Sequence, residues 1–267
     1  MNPSPIAFIG GGNMASAIIG GLLQAGRPPA SIVVVEPLEA QRLKLAQTYG
    51  LAPIAAAGPA LATATTVVWA VKPQSFADAA AACGSNLAGA LQVSVMAGIR
   101  SEALVRASGS ARVVRAMPNT PALIGRGIAG LYARPEVNAA ARAEVEALFA
   151  PTGESLWVER EEHLDAVTAL SGSGPAYVFY FIEAMMQAGS ELGLSAEQAR
   201  RLAQSTFAGA AALAQQSSLP PAELRAQVTS KGGTTYAAIS SLDASGVKAA
   251  FVAALHAAAR RAEELGR

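Results

Sequence analysis

A glycine-rich turn near the N-terminus constrains the fold of this chain more than any other feature. Gly10, Gly12 and Ala15 form a G-x-G-x-x-A pattern. The apolar run Ile6–Ile9 precedes the pattern, and the amphipathic stretch Asn13–Gln24 begins within it. In such a turn the first glycine permits a sharp bend, the second lets a ligand approach the backbone, and the third small residue lets helix and strand pack closely. The pattern predicts a strand–turn–helix unit whose helix N-terminus attracts the pyrophosphate of a dinucleotide.

Short apolar runs alternate with amphipathic stretches over the first 160 residues. Unbroken apolar runs are typical of parallel strands that are covered on both faces. We predict strands at Ile6–Ile9, Ile32–Val35, Thr66–Val71, Gln92–Val95, Arg112–Ala116 and Ile128–Tyr132, with a last candidate at Leu156–Val158. Strands and helices in alternation predict a doubly wound α/β sheet of the Rossmann type.

The strand pattern disappears after about residue 160, and the remaining chain is predicted to be helical. Pro175 occupies a position typical of a first helical turn. Ser195 followed by Gln198 predicts a capping box for the next helix. We therefore predict two domains, a dinucleotide-binding domain at 1–160 and an all-helical domain at 161–267.

Composition excludes several classes of protein. The 267 residues carry a net charge of +1, so no electrostatic signature of binding to nucleic acid or an anionic membrane is present. No apolar run reaches the roughly 18 residues of a membrane span, and no signal peptide is expected. The single cysteine, Cys83, is expected to be a small buried residue and favours a reducing, cytoplasmic setting. Neither His163 nor His256 belongs to a zinc-type spacing, so no metal site is expected.

Glu36 bears on the choice of dinucleotide because it ends the second predicted strand, 21 residues after Ala15. An acidic side chain there accepts hydrogen bonds from the ribose hydroxyls of NAD and repels a 2′-phosphate. Two unit charges about 4 Å apart interact by roughly 4 kcal/mol at an effective dielectric constant of about 20. Arg42 or Lys44 on the following helix could offset this repulsion by binding the phosphate. Glu36 favours NADH, and NADPH stays open as the alternative.

Further motifs, spread over nearly the whole chain, resemble those of the pyrroline-5-carboxylate reductase family, which makes proline. Besides the glycine-rich turn they are Ala70-Val71-Lys72-Pro73-Gln74, Met96-Ala97-Gly98-Ile99, Arg115-Ala116-Met117-Pro118-Asn119-Thr120-Pro121, Leu170-Ser171-Gly172-Ser173-Gly174-Pro175-Ala176-Tyr177 and Val228-Thr229-Ser230-Lys231-Gly232-Gly233-Thr234-Thr235. Asn119 is expected to brace its own loop.

The resemblance implies a nicotinamide cofactor, with the segments after the third and fourth strands beside its nicotinamide half. The implied cofactor-binding residues are Ile9, Gly10, Gly11, Gly12, Asn13, Met14, Glu36, Ala70, Val71, Lys72, Pro73, Met96, Ala97 and Gly98. Two departures weaken the family's usual preference for NADPH. Many members have a small polar residue in place of Glu36, and some have an asparagine near the adenosine where this chain has Ala55-Ala56-Ala57.

The family's substrate is a five-membered cyclic imine that bears a carboxylate. A Gly-Gly pair leaves backbone N–H groups unobstructed at the start of a helix, whose dipole favours an anion. The resemblance assigns the substrate to Ser230, Gly232, Gly233, Thr234 and Thr235. Lys231 is often proline in relatives, so its charge is not expected to be essential.

Thr235 is the candidate catalytic residue. The resemblance implies that its hydroxyl forms a hydrogen bond to the ring nitrogen, orients the imine and relays a proton from water. An alternative is a substrate that binds already protonated, as an iminium. Considered without the resemblance, Thr234 or Thr235 is also predicted to be the ordinary cap of a helix.

The helical half is unusually apolar for its size. Ala253, Ala254, Ala257 and Ala258 leave little polar surface on the last helix, which predicts packing against another copy of the chain. The resemblance implies a homodimer formed through this domain, and further assembly of dimers stays open.

Three other functions are the alternatives. A hydroxy-acid reductase would need a lysine acid in the helical domain, and no such lysine lies in the stretch from Pro175 to Leu192. A non-catalytic NAD(P)-binding sensor would not need the intact Ser230–Thr235 segment. A reductase of another cyclic imine is compatible with all the motifs.

Overall fold

The computed structural model describes residues 4–87 and 89–266. The chain forms two compact units. The first contains the residues up to Ser173 together with those from Ala258 onward, and the second contains Gly174–Ala257. This division falls C-terminal to the boundary predicted after residue 160, and the last helix contributes residues to both units.

The first unit is built on a seven-stranded sheet in the order β2-β1-β3-β4-β5-β6-β7. The strands are β1 (Ile6–Ile9), β2 (Ile32–Val35), β3 (Thr66–Trp69), β4 (Leu91–Ser94), β5 (Val113–Met117), β6 (Gly127–Ala133) and β7 (Gly153–Trp157). Neighbouring strands from β2 to β5 pair in parallel. The predicted fold class, a Rossmann-type doubly wound sheet followed by helices, is confirmed.

Strand β6 departs from the parallel arrangement because it runs antiparallel to β5. Only residues 118–126 lie between these two strands. A parallel connection needs a crossover of a dozen or more residues, usually with a helix, so this short segment can only return the chain in the opposite direction. Strand β7 then pairs in parallel with β6 after an intervening helix.

Apolar clusters cover both faces of the sheet. Phe8 and Val68 belong to one cluster, and Ala7 and Trp69, their neighbours in sequence, belong to the other. This alternation is the reason for the unbroken apolar runs, since successive side chains of a strand point to opposite faces. Burying one large apolar side chain contributes about 1.5–3 kcal/mol relative to leaving it exposed, so these clusters are a major source of stability.

Among the residues that the structure describes, six α-helices lie wholly in the first unit. They are α1 (Asn13–Gln24), α2 (Glu39–Tyr49), α3 (Phe76–Cys83), α4 (Ser101–Ser108), α5 (Ala139–Phe149) and α6 (His163–Val167). A single π-helical turn, Thr168–Gly172, follows α6. Cys83, at the end of α3, is 1% exposed, as predicted for a small buried residue. Burial raises the pKa of its thiol to about 11, so the thiol stays protonated at neutral pH.

The second unit is helical, as predicted. It contains α7 (Gly174–Glu191), α8 (Ala196–Gln216), α9 (Pro221–Gln227), α10 (Thr234–Ala244) and most of α11 (Val247–Leu265). The predicted capping box of α8 is confirmed: the Gln198 N–H donates to Ser195 Oγ at 3.2 Å, and the Ser195 N–H donates to Gln198 Oε1 at 2.9 Å.

Large apolar side chains cover much of the surface of the second unit. Phe179, Tyr180, Leu192 and Leu202 are all more than half exposed in the single chain. Within the described residues, no single helix has the length and apolarity of a membrane span, and only α10 and α11 together would qualify, with a bend of 54° between them.

Candidate cofactor and substrate sites

The carboxyl ends of β1, β2 and β3 meet at one edge of the sheet. The register pairs Ile9 with Val35 on one side and with Trp69 on the other. The chain adds β2 on one side of β1 and then β3 on the other side, so the order of strands reverses at β1. Open α/β sheets bind ligands at such a switch point, outside the carboxyl ends of the strands. The segments that follow these strand ends, including most of the predicted cofactor residues, therefore lie side by side.

Gly10 is required by the fold itself. Its φ is +98°, a region that favours glycine, and an added Cβ would lie 2.7 Å from the Ala70 carbonyl oxygen. The Gly10 N–H donates to the Val35 carbonyl at 2.8 Å, so the hydrogen bonding between β1 and β2 continues into the start of the turn. Gly10 and Ala70, predicted from separate motifs, are brought into direct contact.

Gly12 is a different case, because the fold does not require glycine there. Its φ is −66°, which any residue adopts, and an added Cβ would meet no atom within 4 Å. Gly12 is the N-cap of α1, no side chain caps the N–H groups of the first turn, and Gly12 and Asn13 are exposed. This open helix N-terminus fits a pyrophosphate. Ala15 is fully buried, in agreement with its predicted role in helix–strand packing.

The Glu36 carboxylate is buried and held by the backbone. The side chain belongs to a residue that is only 7% exposed. Its Oε2 accepts a hydrogen bond from the Gly11 N–H at 2.9 Å, and its Oε1 accepts one from the Leu38 N–H at 2.9 Å. Each oxygen has a second lone pair, so the oriented carboxylate can still accept hydrogen bonds from ribose hydroxyls. The N–H of Gly11 is engaged by Glu36.

The two cations predicted as alternative phosphate ligands occupy different environments. Arg42 Nη1 donates to the carbonyl oxygens of Glu36 at 2.9 Å and Pro37 at 2.6 Å, so its guanidinium is tied to the loop after β2. Lys44 is exposed on α2. The side chain of Gln41 donates to the Gly11 carbonyl and joins α2 to the glycine-rich turn.

The other predicted cofactor segments follow β3 and β4. Lys72 is exposed and precedes a single 3₁₀ turn, Pro73–Ser75. Met96 is 3% exposed, and its N–H donates to Ser94 Oγ at 3.2 Å. Since the register pairs Trp69 of β3 with Ser94 of β4, these segments leave adjacent strands at the same edge as the glycine-rich turn.

Gly98 has a packing role that local sequence patterns did not indicate. Its φ is +76°, and an added Cβ would lie 2.6 Å from the carbonyl oxygen of Leu265, at the end of α11. The segment predicted to border the nicotinamide therefore lies directly against the C-terminal end of the last helix, within the first unit. No periodicity connects residues so distant in the chain.

Asn119 braces the connection between β5 and β6, as predicted. Its Oδ1 accepts a hydrogen bond from the Ile128 N–H at 3.0 Å, and its Nδ2 donates to the Ser171 carbonyl at 3.2 Å. The second bond also ties this connection to the π-helical turn before α7. The residue is 9% exposed, which suits a structural bridge better than a ligand contact.

The predicted substrate residues lie together at the start of α10, in the second unit. The Gly233 N–H donates to the Ser230 carbonyl at 3.0 Å, which closes a β-turn. Gly232 is the third residue of this turn and has a φ of +77°, as type II turns require. Proline is common at the second position of such turns, which Lys231 occupies here, so a lysine at this position needs no role for its charge.

The helix cap predicted at Thr234 or Thr235 is wrong. The N-cap of α10 is Gly233, whose carbonyl accepts the first helical bond from the Ala237 N–H at 3.1 Å. Thr234 and Thr235 are the first two residues of the helix, and no side chain caps this N-terminus. The N–H groups of the first turn therefore lack a side-chain acceptor, and the helix dipole favours an anion at this end of α10. The half-buried Thr235 hydroxyl is not needed as a cap.

Two known protein families match separate parts of the chain. Residues 5–98 match the family described as NADP oxidoreductase, coenzyme F420-dependent. Residues 161–265 match the family described as pyrroline-5-carboxylate reductase dimerisation.

Individual relatives resemble the chain over its full length. The pyrroline-5-carboxylate reductase of Pseudomonas aeruginosa is 46% identical over 267 residues, which cover 99% of this chain and 98% of the relative. The solved structure of the pyrroline-5-carboxylate reductase from Coxiella burnetii is 35% identical, with a TM-score of 0.92 and full coverage of both chains. The Plasmodium falciparum pyrroline carboxylate reductase, solved with NADP bound, is 28% identical, with a TM-score of 0.88 and full coverage of both chains. The chain belongs to the pyrroline-5-carboxylate reductase family.

Proposed function

We propose that this chain reduces 1-pyrroline-5-carboxylate to L-proline with hydride from a nicotinamide cofactor, as the last step of proline biosynthesis. The single observation that carries this function is the identity of 46% to the P. aeruginosa reductase over 267 residues. The chain is accordingly an oxidoreductase that acts on a carbon–nitrogen double bond.

The cofactor is assigned to the carboxyl edge of the sheet in the first unit. The open N-terminus of α1 at Gly12 and Asn13 supports the pyrophosphate there, and Glu36 is assigned to the adenosine ribose. The segments Ala70–Pro73 and Met96–Gly98 are assigned to the nicotinamide half. When bound, the cofactor supplies the hydride that reduces the imine carbon.

NADH is the proposed preferred cofactor. The Glu36 carboxylate is buried and held by the N–H groups of Gly11 and Leu38, so it has little freedom to move away from a 2′-phosphate. Arg42 is already bound to two backbone carbonyls beside it. Preference for NADPH is the alternative, and it would require Arg42 or Lys44 to outweigh the repulsion by Glu36.

The substrate carboxylate is assigned to the N-terminus of α10. The β-turn from Ser230 to Gly233 and the uncapped first turn at Thr234 support an anion site made of backbone N–H groups and hydroxyls, without an arginine. An added Cβ at Gly233 would lie 2.8 Å from Ser230 Oγ, so Gly233 is the residue that leaves room for this hydroxyl.

Thr235 is the proposed catalytic residue. Its hydroxyl is free of the capping role that would otherwise explain a threonine at a helix start. At the imine nitrogen it would orient the ring and relay a proton, and positioned proton transfer contributes about 10²–10⁴ in rate. A substrate that binds as the iminium would need only the orienting hydrogen bond.

The chain forms a homo-oligomer, because residues 161–265 match the dimerisation family. We assign the contact to the exposed apolar side chains of the second unit, such as Phe179 and Tyr180 of α7. A homodimer is the proposed unit, and assembly of dimers into a higher oligomer is the alternative. A reducing, cytoplasmic setting stays a prediction from the single cysteine.

The deciding experiment is the initial rate of cofactor oxidation at 1-pyrroline-5-carboxylate saturation, with NADH and with NADPH, for wild type and Thr235→Ala. A fall in kcat of about 10²-fold in the variant supports both the reaction and the role of Thr235. A higher kcat/KM with NADH than with NADPH supports the assignment of Glu36.

Thr229→Ala is the matched control, since it removes a nearby threonine hydroxyl that donates to the Arg225 carbonyl at 2.6 Å. It is expected to retain wild-type kinetics. Equal rates in wild type and Thr235→Ala would reduce Thr235 to a structural residue. No turnover with either cofactor would favour a sensor or a reductase of another cyclic imine.

A further inference from the structure

A buried ion pair, Arg115–Glu161, lies near the proposed nicotinamide segment. Arg115 begins one of the family motifs, but neither residue was predicted to have a functional role. Glu161 Oε1 accepts hydrogen bonds from the Ser101 N–H at 2.6 Å and from Arg115 Nη1 at 2.9 Å. Its Oε2 accepts a third from Ser101 Oγ at 2.7 Å. The side chains of Arg115 and Glu161 are only 6% and 16% exposed. These contacts join the middle of β5 and the start of α4 to the segment before α6.

Glu161 acts as a cap that reaches α4 from a distant part of the chain. The residue before this helix, Arg100, makes no side-chain capping bond to it. Glu161 instead supplies acceptors to the first helical residue, Ser101, where a negative charge also interacts favourably with the helix dipole. Because α4 begins directly after the loop that contains Gly98, this cap fixes one end of the Met96–Gly98 segment.

Additional contacts hold the C-terminal end of the same loop, at Arg100. Arg100 Nη2 donates to Asp165 Oδ2 at 2.8 Å, and Arg100 Nε lies 3.4 Å from the Gly266 carbonyl oxygen, which accepts its hydrogen bond. Leu265 packs against Gly98. The loop between β4 and α4 is therefore bracketed by the α6 region and by the end of α11, all within the first unit.

The cluster is charged at neutral pH. Burial alone would raise the pKa of Glu161, but the hydrogen bonds from Ser101 and Arg115 outweigh it and bring the pKa below its ordinary value of 4.5. Burial lowers the pKa of Arg115, and the contact with Glu161 opposes that shift. Replacing a buried ion pair by apolar side chains is often neutral or stabilising, so stability alone is a poor reason for this arrangement. Its directional bonds are better suited to holding one loop conformation.

We propose that Glu161 is a positioning residue of the reductase, which holds the Met96–Gly98 segment in the conformation that hydride transfer requires. It acts through Ser101 and does not itself contact the cofactor. This role rests on the proposed function, specifically on the assignment of the Met96–Gly98 segment to the nicotinamide half.

The test is a first-turnover measurement with enzyme and NADH, or NADPH if that is the better cofactor, at equal concentrations well above the dissociation constant, with saturating 1-pyrroline-5-carboxylate; the fast first phase of cofactor oxidation is followed. The amplitude reports the fraction of competent enzyme, and the rate constant reports the reaction of bound reactants. In Glu161→Gln we expect the rate constant to fall by about tenfold or more, because small misplacements of reacting groups have effects of up to about 10²-fold. A merely structural role would lower the amplitude or the melting temperature and leave the rate constant unchanged.

Glu102→Gln is the matched control. Glu102 lies in the first turn of the same helix and pairs with Arg106 at 2.7 Å, but its side chain is 74% exposed. It is expected to match wild type in both amplitude and rate constant. Ser101→Ala removes one of the three bonds to Glu161 and is expected to lower the rate constant by a smaller factor.

The outcomes distinguish a failure of the positioning role of Glu161 from a failure of the proposed function. A wild-type rate constant in Glu161→Gln, with turnover by wild type intact, overturns the positioning role alone. If Glu161→Gln does not fold, a wild-type rate constant in Ser101→Ala overturns it. Wild-type protein that never oxidises the cofactor overturns the proposed function and this role with it.

Discussion

The two compact units differ most in how much apolar surface each can bury by itself. In the first, Phe149 and Trp69 are fully buried and apolar clusters cover both faces of the sheet. In the second, among the described residues, only Ala199 and Ala203 are buried, while Tyr180 is 69% exposed. The first unit therefore contains a complete core, whereas the helical unit leaves its large apolar side chains exposed in the single chain. The match to a dimerisation family agrees with this difference.

The largest expected effect comes from truncating a core side chain of the first unit. Phe149→Ala removes a fully buried ring of α5, and such changes cost about 3–5 kcal/mol of unfolding free energy. Urea unfolding should show this loss equally at low and high protein concentration. A loss below about 1 kcal/mol would mean that this core is not as closely packed as its burial indicates.

A smaller effect, on assembly, is expected from a change in the second unit. Phe179 of α7 is 59% exposed in the single chain, and a charge at its position would be buried in an apolar contact between copies. Phe179→Glu should weaken self-association by at least about tenfold, because burying an unpaired charge is unfavourable. Light scattering over a dilution series would detect this. Unchanged association would mean that the contact between copies does not involve this face of α7.

Gly12 is a position in the first unit where a substitution is expected to affect ligand binding but not folding. Gly12→Ala should leave the unfolding free energy within about 0.5 kcal/mol, since the added Cβ meets no atom and φ is ordinary. It should raise the cofactor dissociation constant by about tenfold, because the methyl group lies where the pyrophosphate approaches the backbone. Fluorescence titration with NADH and NADPH measures the second effect. Unchanged binding would remove the assignment of the pyrophosphate to this helix.

The smallest expected effect is a dependence on pH. The pKa of folded Glu161 lies below its ordinary value of 4.5, so its contribution to stability is complete above about that pH and is lost as the pH falls through the folded value. The difference in urea midpoint between wild type and Glu161→Gln should therefore be constant from neutral pH down to about pH 5 and narrow below it. A difference that widens in acid would contradict the lowered pKa.

The sequence predicted most of the first unit because its signals are local. The bounds of α1 agree with Asn13–Gln24, and those of β1 and β2 agree with Ile6–Ile9 and Ile32–Val35. Each of these elements follows from periodicity and from the glycine-rich turn. The start of α10 was less accurately predicted, because the sequence favours a cap at Thr234 or Thr235 and the structure has Gly233 as the N-cap. Cap identity depends on the backbone angles of the turn, and a Gly-Gly-Thr-Thr sequence allows more than one solution.

Three features follow from the sequence alone: the alternation of strands and helices, the glycine-rich turn at the end of β1, and the change to an all-helical chain. Each of these features is a pattern of neighbouring residues. Only the tertiary structure decided that Glu36 is held by Gly11, that Gly98 packs against Leu265 and that Glu161 caps α4. The physical reason is that these contacts join residues at least 25 positions apart, with Glu161 and Ser101 separated by 60. Such pairs are selected by the packing of whole elements, which no local period or propensity contains.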